Sequence, residues 1–511
     1  MVQSLSRRTL LGGMVSGATV GVAGCTGDAA QGDKELRVGL SSNVLETLDP
    51  IENPIANRVQ LYDTLVEYGR DGGIEPAVAE SWTTEDELTW RFDLRDDVVF
   101  HDGTPLDADA VAVSLRRAFD ESGRLADVPI DSITAVDDHT LRVRTDEPYA
   151  PLLSQIGIIW AALLSPDSLE DGEVTDFNSV GPFELDTWEP GQSLTVVPNE
   201  DYYGTVPAVD RVVYEVVADH NTRVLNLEND DLDLIKRVPD SQYDHLSDTA
   251  GVEPLVADVP SIRFLLFNTD RSPFDDQQVR QALSYAVDKT AIVDSVLEGL
   301  TTPARGIVPP MLEEWRNSEV PGYEYDTQQA GDLLDAAGWE RDGDHRYHNG
   351  EQLSFTLWTY DTHGLPAIAE IVQQQYRQLG IETEIRVTEG NTLQEAKAAG
   401  EFDVSMESWA VAPTGDLARL FQWYHSEDSV LNMPYENQRV DTLVEQGNRA
   451  VDRDQRQSVY MELQAIAMEE LPLAPLTNYA RIVGTQSHVS GYDPHPLGTY
   501  IDLTPVTVDE A

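Results

Sequence analysis

Apolar and polar positions follow one another in short runs, and the period of the runs changes along the chain. Leu36-Arg37-Val38-Gly39-Leu40 has the two-residue period of a strand. Residues 89–95 repeat it, with Trp90, Phe92 and Leu94 on one face. His101-Asp102-Gly103-Thr104-Pro105 has the composition of a tight turn. The period then lengthens. Asp107 stands where a helix cap belongs, and Val111, Leu115, Ala118 and Phe119 recur at helical spacing. Residues 140–144 form another alternating strand. Residues 181–185 and 194–198 read as paired strands joined at Pro190-Gly191, and 211–217 as a strand followed by a helix over 221–229.

The alternation of periods continues. A strand is predicted over 263–268, and a helix over 277–287 with Val279, Leu283 and Val287 on one face. A helix over 327–337 stops at Gly338. A strand over 353–359 leads to a helix over 366–379 stopped by Gly380, then a strand over 382–387. A short strand over 402–406 places Trp409 just after its end, in the loop position where α/β proteins carry ligand contacts. The helix over 453–470 ends at Leu471-Pro472. Strand and helix in turn predict α/β lobes. The chain has 511 residues, too many for one hydrophobic core, so two to four lobes are expected.

Charge adds habitat and excludes a partner. There are 34 Lys and Arg against 91 Asp and Glu, and 34 − 91 gives a net charge of −57. Such a surface repels nucleic acid. Only Lys34, Lys236, Lys289 and Lys397 are lysines, and the acids run from Asp28 to Glu510, so no single tail holds them. Acid excess with scarce lysine predicts a halophilic protein, built for a salty medium that screens its self-repulsion. It also makes chance carboxylate pairs common, so a carboxylate pair is a poor catalytic signal here.

The first residues read as an export leader. Ser6-Arg7-Arg8-Thr9-Leu10-Leu11 is a twin-arginine (Tat) pattern, followed by a Gly-rich apolar stretch too short for a membrane span. Val22-Ala23-Gly24-Cys25 resembles a lipobox, whose cysteine takes lipid and becomes the first residue of the mature chain. The alternative is a plain signal peptide with a chance cysteine. Cys25 is the only cysteine, which leaves no disulfide and no Cys-rich metal site to expect. Residues 1–24 are thus assigned to the signal peptide and 25–33 to a tether. No later run of 18 apolar residues occurs, so the remainder is expected to be soluble at the outer membrane face, lipid-anchored through Cys25.

Catalytic patterns are missing from the sequence: no G-x-S-x-G, H-E-x-x-H, G-x-x-x-x-G-K-[ST] or G-x-G-x-x-G occurs. Asp342-Gly343-Asp344-His345 with His348 reads as a hairpin tip before it reads as a metal loop. His101-Asp102-Gly103 reads as a turn before it reads as part of a catalytic pair.

Several segments carry a resemblance. Pro76-Ala77-Val78-Ala79-Glu80-Ser81-Trp82 and Leu94-Arg95-Asp96-Asp97-Val98-Val99-Phe100-His101-Asp102-Gly103-Thr104-Pro105 are followed, in order, by Val180-Gly181-Pro182-Phe183, Asn199-Glu200-Asp201-Tyr202-Tyr203-Gly204, residues 279–289, residues 326–339 and Leu471-Pro472-Leu473-Ala474-Pro475-Leu476. The ordered set resembles family 5 of the ABC-importer solute-binding proteins, which take up dipeptides, oligopeptides and nickel complexes. That resemblance implies a large two-lobed type II periplasmic-binding-protein fold with an extra lobe inserted in the first. Lobe Ia would comprise 34–60, 177–260 and 480–511, lobe Ib 61–176, and lobe II 261–479.

The resemblance also implies a function without catalysis or cofactor: a monomeric, extracellular lipoprotein that hands a short peptide to an ABC permease and ATPase. A nickel or other metal–chelate ligand is the alternative, and an extracellular hydrolase or signalling receptor a more remote one. Trp409 and Trp160 would be cleft walls, with Thr414 and Thr499 as further contacts. Asp416 would meet a peptide ammonium, because the position where peptide binders of this family carry an Asp is Ala412 here. Arg124 would meet a carboxylate. His425 would be a polar contact, or a metal ligand in the nickel-type reading.

Overall fold

The computed structural model describes residues 34–40, 46–52, 59–170, 172–175, 177–497 and 501–509. Cys25 and Thr499 lie outside the described residues.

Two sheets organise the chain. The large one contains β1 (Glu35–Leu40), and a small one, inserted after it, holds β2 (Ala79–Thr84), β3 (Thr89–Leu94), β4 (Ile130–Asp137) and β5 (Thr140–Thr145) in the order β2-β3-β5-β4. Trp90, Phe92 and Leu94 of β3 are buried, as the alternation requires. Between β3 and β4 runs α1 (Ala108–Glu121), whose cap is the Asp107 carboxylate accepting from Ala110 N at 2.9 Å. The turn before it forms as read: Asp102 Oδ1 accepts from Thr104 N at 2.8 Å, and Gly103 takes φ +81°. A short helix, α2 (Leu152–Ile156), follows β5.

The chain then returns to the large sheet with β6 (Phe183–Glu189), β7 (Ser193–Pro198), β8 (Arg211–Val216) and β9 (Leu234–Val238), with α3 (His220–Glu228) before β9. Next come β10 (Val252–Phe267), α4 (Gln277–Tyr285), α5 (Thr327–Ala336), β11 (Ser354–Tyr360), α6 (Leu365–Gln378), β12 (Glu382–Thr388), α7 (Gly390–Ala398) and β13 (Val404–Ala410). The last elements are α8 (Ala418–Gln422), α9 (Gln438–Arg449), α10 (Arg453–Glu470) and β14 (Leu473–Gln486). The strand order is β6-β7-β8-β1-β9-β14-β10-β13-β11-β12.

Two strands join the halves of this sheet. β10 pairs with β14 from Val252↔Gln486 to Leu266↔Leu473, with the register broken between Val259 and Ile262. β9 pairs with β14 only beyond that break, at Leu234↔Thr485, while β13 pairs with β10 only on its other side, from Ser261↔Ala410 to Phe267↔Val404. The two halves of the sheet meet at this break, and the chain passes across it in β10 and again in β14.

A single buried arginine pins the border. Arg263 is 1% exposed; it donates to the His363 carbonyl at 2.9 Å and to Asp240 Oδ2 at 3.0 Å, and stacks over Tyr479 at 4.5 Å. Asp240 follows β9 in one half of the sheet, and His363 lies between β11 and α6 in the other.

Two strands differ from the sequence reading. The expected strand over 263–268 begins eleven residues earlier, because Pro254 and Pro260 interrupt the alternation without ending the strand. The expected strand over 402–406 runs on to Ala410, so Trp409 lies inside β13 and pairs with Ile262, rather than in a loop after it. The hairpin over 340–348 forms as read, with Gly343 at φ +62°.

Candidate functional site

Two cavities open where the small sheet's lobe faces the second lobe, one on each side of the segment 413–417. That segment leaves β13 and enters α8. Asp416 fixes it: Oδ1 accepts from Ala418 N at 2.7 Å, and the two carboxylate oxygens take the guanidinium of Arg456, on α10, at 2.7 and 2.8 Å. Both partners of this pair are nearly buried. Burial works against the charge on Arg456, but the Asp416 carboxylate overrides it and holds the pKa above the usual value.

The first chamber, about 560 Å³, is bounded by Arg124, Tyr149, Gln155, Ile158, Thr414 and Arg419. Arg124 follows α1, and its guanidinium lies 5.0 Å above the Trp160 ring. Arg419, on α8, is half-buried. Burial, and then the charge of Arg124, push its pKa down. Neither arginine has an ion-pair partner among the described residues. The second chamber, about 680 Å³, is bounded by Trp82, Trp90, Leu153, Met311, Trp315 and Tyr460, with the Asp416–Arg456 pair in its wall. Thr414, which is buried, lines both chambers.

The lobes touch around this site. Ala150 N donates to the Asn448 carbonyl at 2.7 Å, and Arg449 meets Glu147 at 3.0 Å. The backbones of Gly72 and Gly415 are in contact.

The structure thus places Arg124 and Thr414 in one chamber, while Trp160 lines neither chamber and meets only Arg124. Asp416 borders the second chamber with both oxygens already on Arg456. Trp409 borders neither chamber. Its half-buried ring lies against the second lobe's core, with Nε1 donating to Glu407 Oε2 at 2.9 Å. Glu407 is fully buried and also accepts from Lys397 Nζ at 2.6 Å, Ser405 Oγ at 2.7 Å and Gln394 Nε2 at 3.0 Å. His425 sits in the turn after α8, its Nδ1 accepting from Glu427 N and Asp428 N at 3.3 Å each. Its neighbours Trp423 and Tyr424 are core residues.

Among the described residues, one group of three acidic or histidine side chains has metal-like spacing: Asp230, Asp233 and His488. Arg37 already occupies it, 2.6 Å from Asp233 and 3.2 Å from Asp230. A third cavity, about 690 Å³, lies between the first lobe and the inserted one, beside Asp63, Glu67, Arg95, Tyr202 and Tyr203. Asp63 accepts from the Tyr202 and Tyr203 hydroxyls at 2.9 and 2.6 Å. Burial raises its pKa to about 7 although both phenols oppose the rise.

Sequence reasoning missed Arg419, Trp315, Trp82 and Arg456. No local pattern marks them, since their partners lie far along the chain, as Asp416 does from Arg456 and Tyr460 from Trp315.

The model of the bacterial extracellular solute-binding proteins, family 5, matches residues 73–430. The glutathione-binding protein GsiB of Escherichia coli O1:K1 / APEC is 29% identical over 485 residues, covering 90% of this chain and 92% of that protein. Among solved structures, the nickel ABC transporter protein of Bacillus halodurans superposes with a TM-score of 0.81 at 28% identity, covering 93% of this chain and all (100%) of the other. The oligopeptide-binding protein AppA of Bacillus subtilis, in complex with a nonapeptide, has a TM-score of 0.73 at 23% identity, covering 93% of this chain and 99% of that one. Its likeness is one of fold.

Proposed function

Because the chain belongs to the family 5 extracellular solute-binding proteins, with their two-lobed α/β fold, we propose that it captures short peptides in the cleft between its lobes for an ABC importer. The observation that carries this is the pair of chambers lined by residues of both lobes, one of which holds Arg124 and Arg419 with no ion pair among the described residues. Ligand binding here makes and breaks no covalent bond. Burying the ligand and closing the lobes over it supplies the free energy, with β10 and β14 as the hinge. The lobes would be 34–60, 177–260 and 480–511 for Ia, 61–176 for Ib and 261–479 for II.

Arg124 would meet a carboxylate, Trp160 would hold Arg124 in place, and Thr414 would contact ligand from either chamber. Asp416 would meet an ammonium group as a carboxylate already shared with Arg456. Trp409 and Thr499 complete the expected contacts. Removing the Trp409 ring should weaken peptide binding by about 1–3 kcal/mol if it reaches the ligand. Unchanged affinity in a folded Trp409→Ala variant removes it from the site. The likeness to nickel-type structures favours a metal–chelate ligand as the second reading, with His425 as the expected ligand. Calorimetry with peptides, and with nickel plus histidine in His425→Ala, separates the two.

Export through the twin-arginine route and lipid attachment at Cys25 would keep the protein, as a monomer, at the outer membrane face beside its permease. No helix among the described residues is long and apolar enough to cross a membrane. Membrane retention that survives Cys25→Ser would remove the anchor. The net charge of −57 further implies a melting temperature that climbs with salt up to molar concentrations, and a flat salt response would remove the halophilic reading.

A further inference from the structure

The chain has 91 acidic residues and, by subtraction of its four lysines from 34, 30 arginines. Unpaired arginines occur elsewhere among the described residues, but at this cleft two of them share one chamber. At this cleft Arg449 pairs with Glu147, Arg453 with Glu314 and Arg456 with Asp416. Arg124 and Arg419 have no ion pair among the described residues, and they line the same chamber. Arg124 is held flat over Trp160, a stacking that leaves the edge donors of a guanidinium available. Arg419 is half-buried, and both burial and Arg124 press on its charge, so an anion placed between the two relieves each of them. Four acids share this chamber's edge: Glu147 is already on Arg449, while Asp127, Asp428 and Glu445 are solvent-exposed, as Arg124 is, so that screening weakens their hold on the two arginines.

The second chamber has the opposite character. Trp82, Trp90, Trp315, Met311 and Tyr460 give it broad apolar and aromatic faces, and its arginines are already neutralised by their own partners. The chambers adjoin across the segment 413–417. Thr414 lines both, and the single segment around α2 supplies Tyr149 and Gln155 to one and Leu153 and Ser154 to the other. At about 560 and 680 Å³ each is large enough for part of a peptide.

We propose that the two chambers are the halves of one groove with a fixed polarity, which selects acidic short peptides bearing an aromatic or large apolar residue. The peptide's carboxylates face Arg124 and Arg419, and its apolar side chain enters the tryptophan chamber. This selection rests on the reading of the chain as a peptide-capturing protein. It makes Arg419 and Trp315 specificity-determining residues, each matched to one end of the ligand.

The test is calorimetry of the full chain in molar salt with three tripeptides. They are Phe-Ala-Glu, Ala-Ala-Glu, and Phe-Ala-Gln with its C-terminus amidated. Phe-Ala-Glu should bind at least about tenfold more tightly than either of the others. The advantage of the carboxylates should shrink to less than about threefold in Arg419→Gln, and the advantage of the ring should shrink similarly in Trp315→Ala. Comparing ligands on the native chain needs no variant to fold. Equal binding of all three peptides overturns the polarity while leaving peptide capture standing. An Arg419→Gln protein that keeps the full preference for carboxylates also overturns it. Binding of none of the three overturns both readings.

Discussion

The backbones of Gly72 and Gly415 lie against each other across the cleft, one from each lobe. A β-carbon on Gly415 would stand 3.0 Å from the Gly72 carbonyl carbon and closer still to its oxygen. Both glycines also take left-handed backbone, at φ +81° and +68°. The contact lets the lobes approach to backbone distance beside both chambers. Gly415→Ala should therefore hold the cleft ajar. It should weaken ligand binding by about tenfold or more, since the closed state becomes a minor population. The fold should survive, with a strain of about 1–2 kcal/mol at this position. Calorimetry together with small-angle scattering of the liganded protein checks this, and full compaction with native affinity in the variant would show that the contact is incidental.

The hinge offers a second test. Arg263 is fully buried and ties Asp240 of one lobe to the His363 carbonyl of the other. Replacing it by Met leaves Asp240 without its cation, and such a loss typically costs about 3–5 kcal/mol. Denaturant unfolding should show that loss for Arg263→Met, and Arg263→Met with Asp240→Leu should recover a large part of it. A single variant as stable as the native chain would remove Arg263 from the role of rivet.

Trp409 is oriented by a buried charge pair. Glu407 and Lys397 are both fully buried, 2.6 Å apart. Burial pulls the Glu407 carboxyl up, but the Lys397 ammonium holds it below the usual carboxylate value. In Lys397→Met that counter-charge is gone. Stability should fall by about 3–5 kcal/mol, and the Trp409 emission should change because the acceptor of its indole N–H becomes protonated or moves. Lys397→Met with Glu407→Leu should regain most of the stability. Unaltered Trp409 emission in the single variant would contradict the coupling.

A pH dependence follows from Asp63. Its folded pKa of about 7 lies above the value near 4 expected for the unfolded chain. Between those values the folded protein holds a proton that the unfolded protein has released. The contribution of Asp63 to stability is therefore present below about pH 4 and is lost as pH rises toward about 7. Glu67, raised to about 7 chiefly by burial and then by Asp63, acts in the same direction. Subtracting the stability profile of Asp63→Asn from that of the native chain should give a difference that declines across this window. A flat or rising difference would mean that Asp63 is ionised in the fold.

The elements were legible in the sequence wherever local chemistry decides them. Asp107 caps its helix, Gly338 and Gly380 end theirs, and Leu471 closes α10 where Leu471-Pro472 had marked its end. Strand lengths were less legible where pairing overrides the local pattern. β10 crosses two prolines because β14 pairs with it along nearly its whole length, and β13 reaches Ala410 because Ser261–Phe267 of β10 pairs with it. The site was legible in part. Arg124 and Thr414 line one chamber and Trp160 reaches it only through its stacking under Arg124, whereas Arg419 and Trp315 line the chambers without any signature in their own neighbourhoods. Asp416 shows the same limit from the other side, since its partner Arg456 lies forty residues away and no spacing rule links them.

The central claim is that the cleft closes on a peptide. The direct measurement is the thermal shift of the protein in multimolar salt with a di- to pentapeptide pool, set beside nickel plus histidine, each with and without chelator. A ligand that binds the folded state raises the melting temperature in proportion to the logarithm of its concentration over Kd. The account predicts stabilisation by peptides that survives the chelator. Stabilisation only by nickel and histidine together, abolished in His425→Ala, would contradict it and assign the cleft to metal–chelate capture.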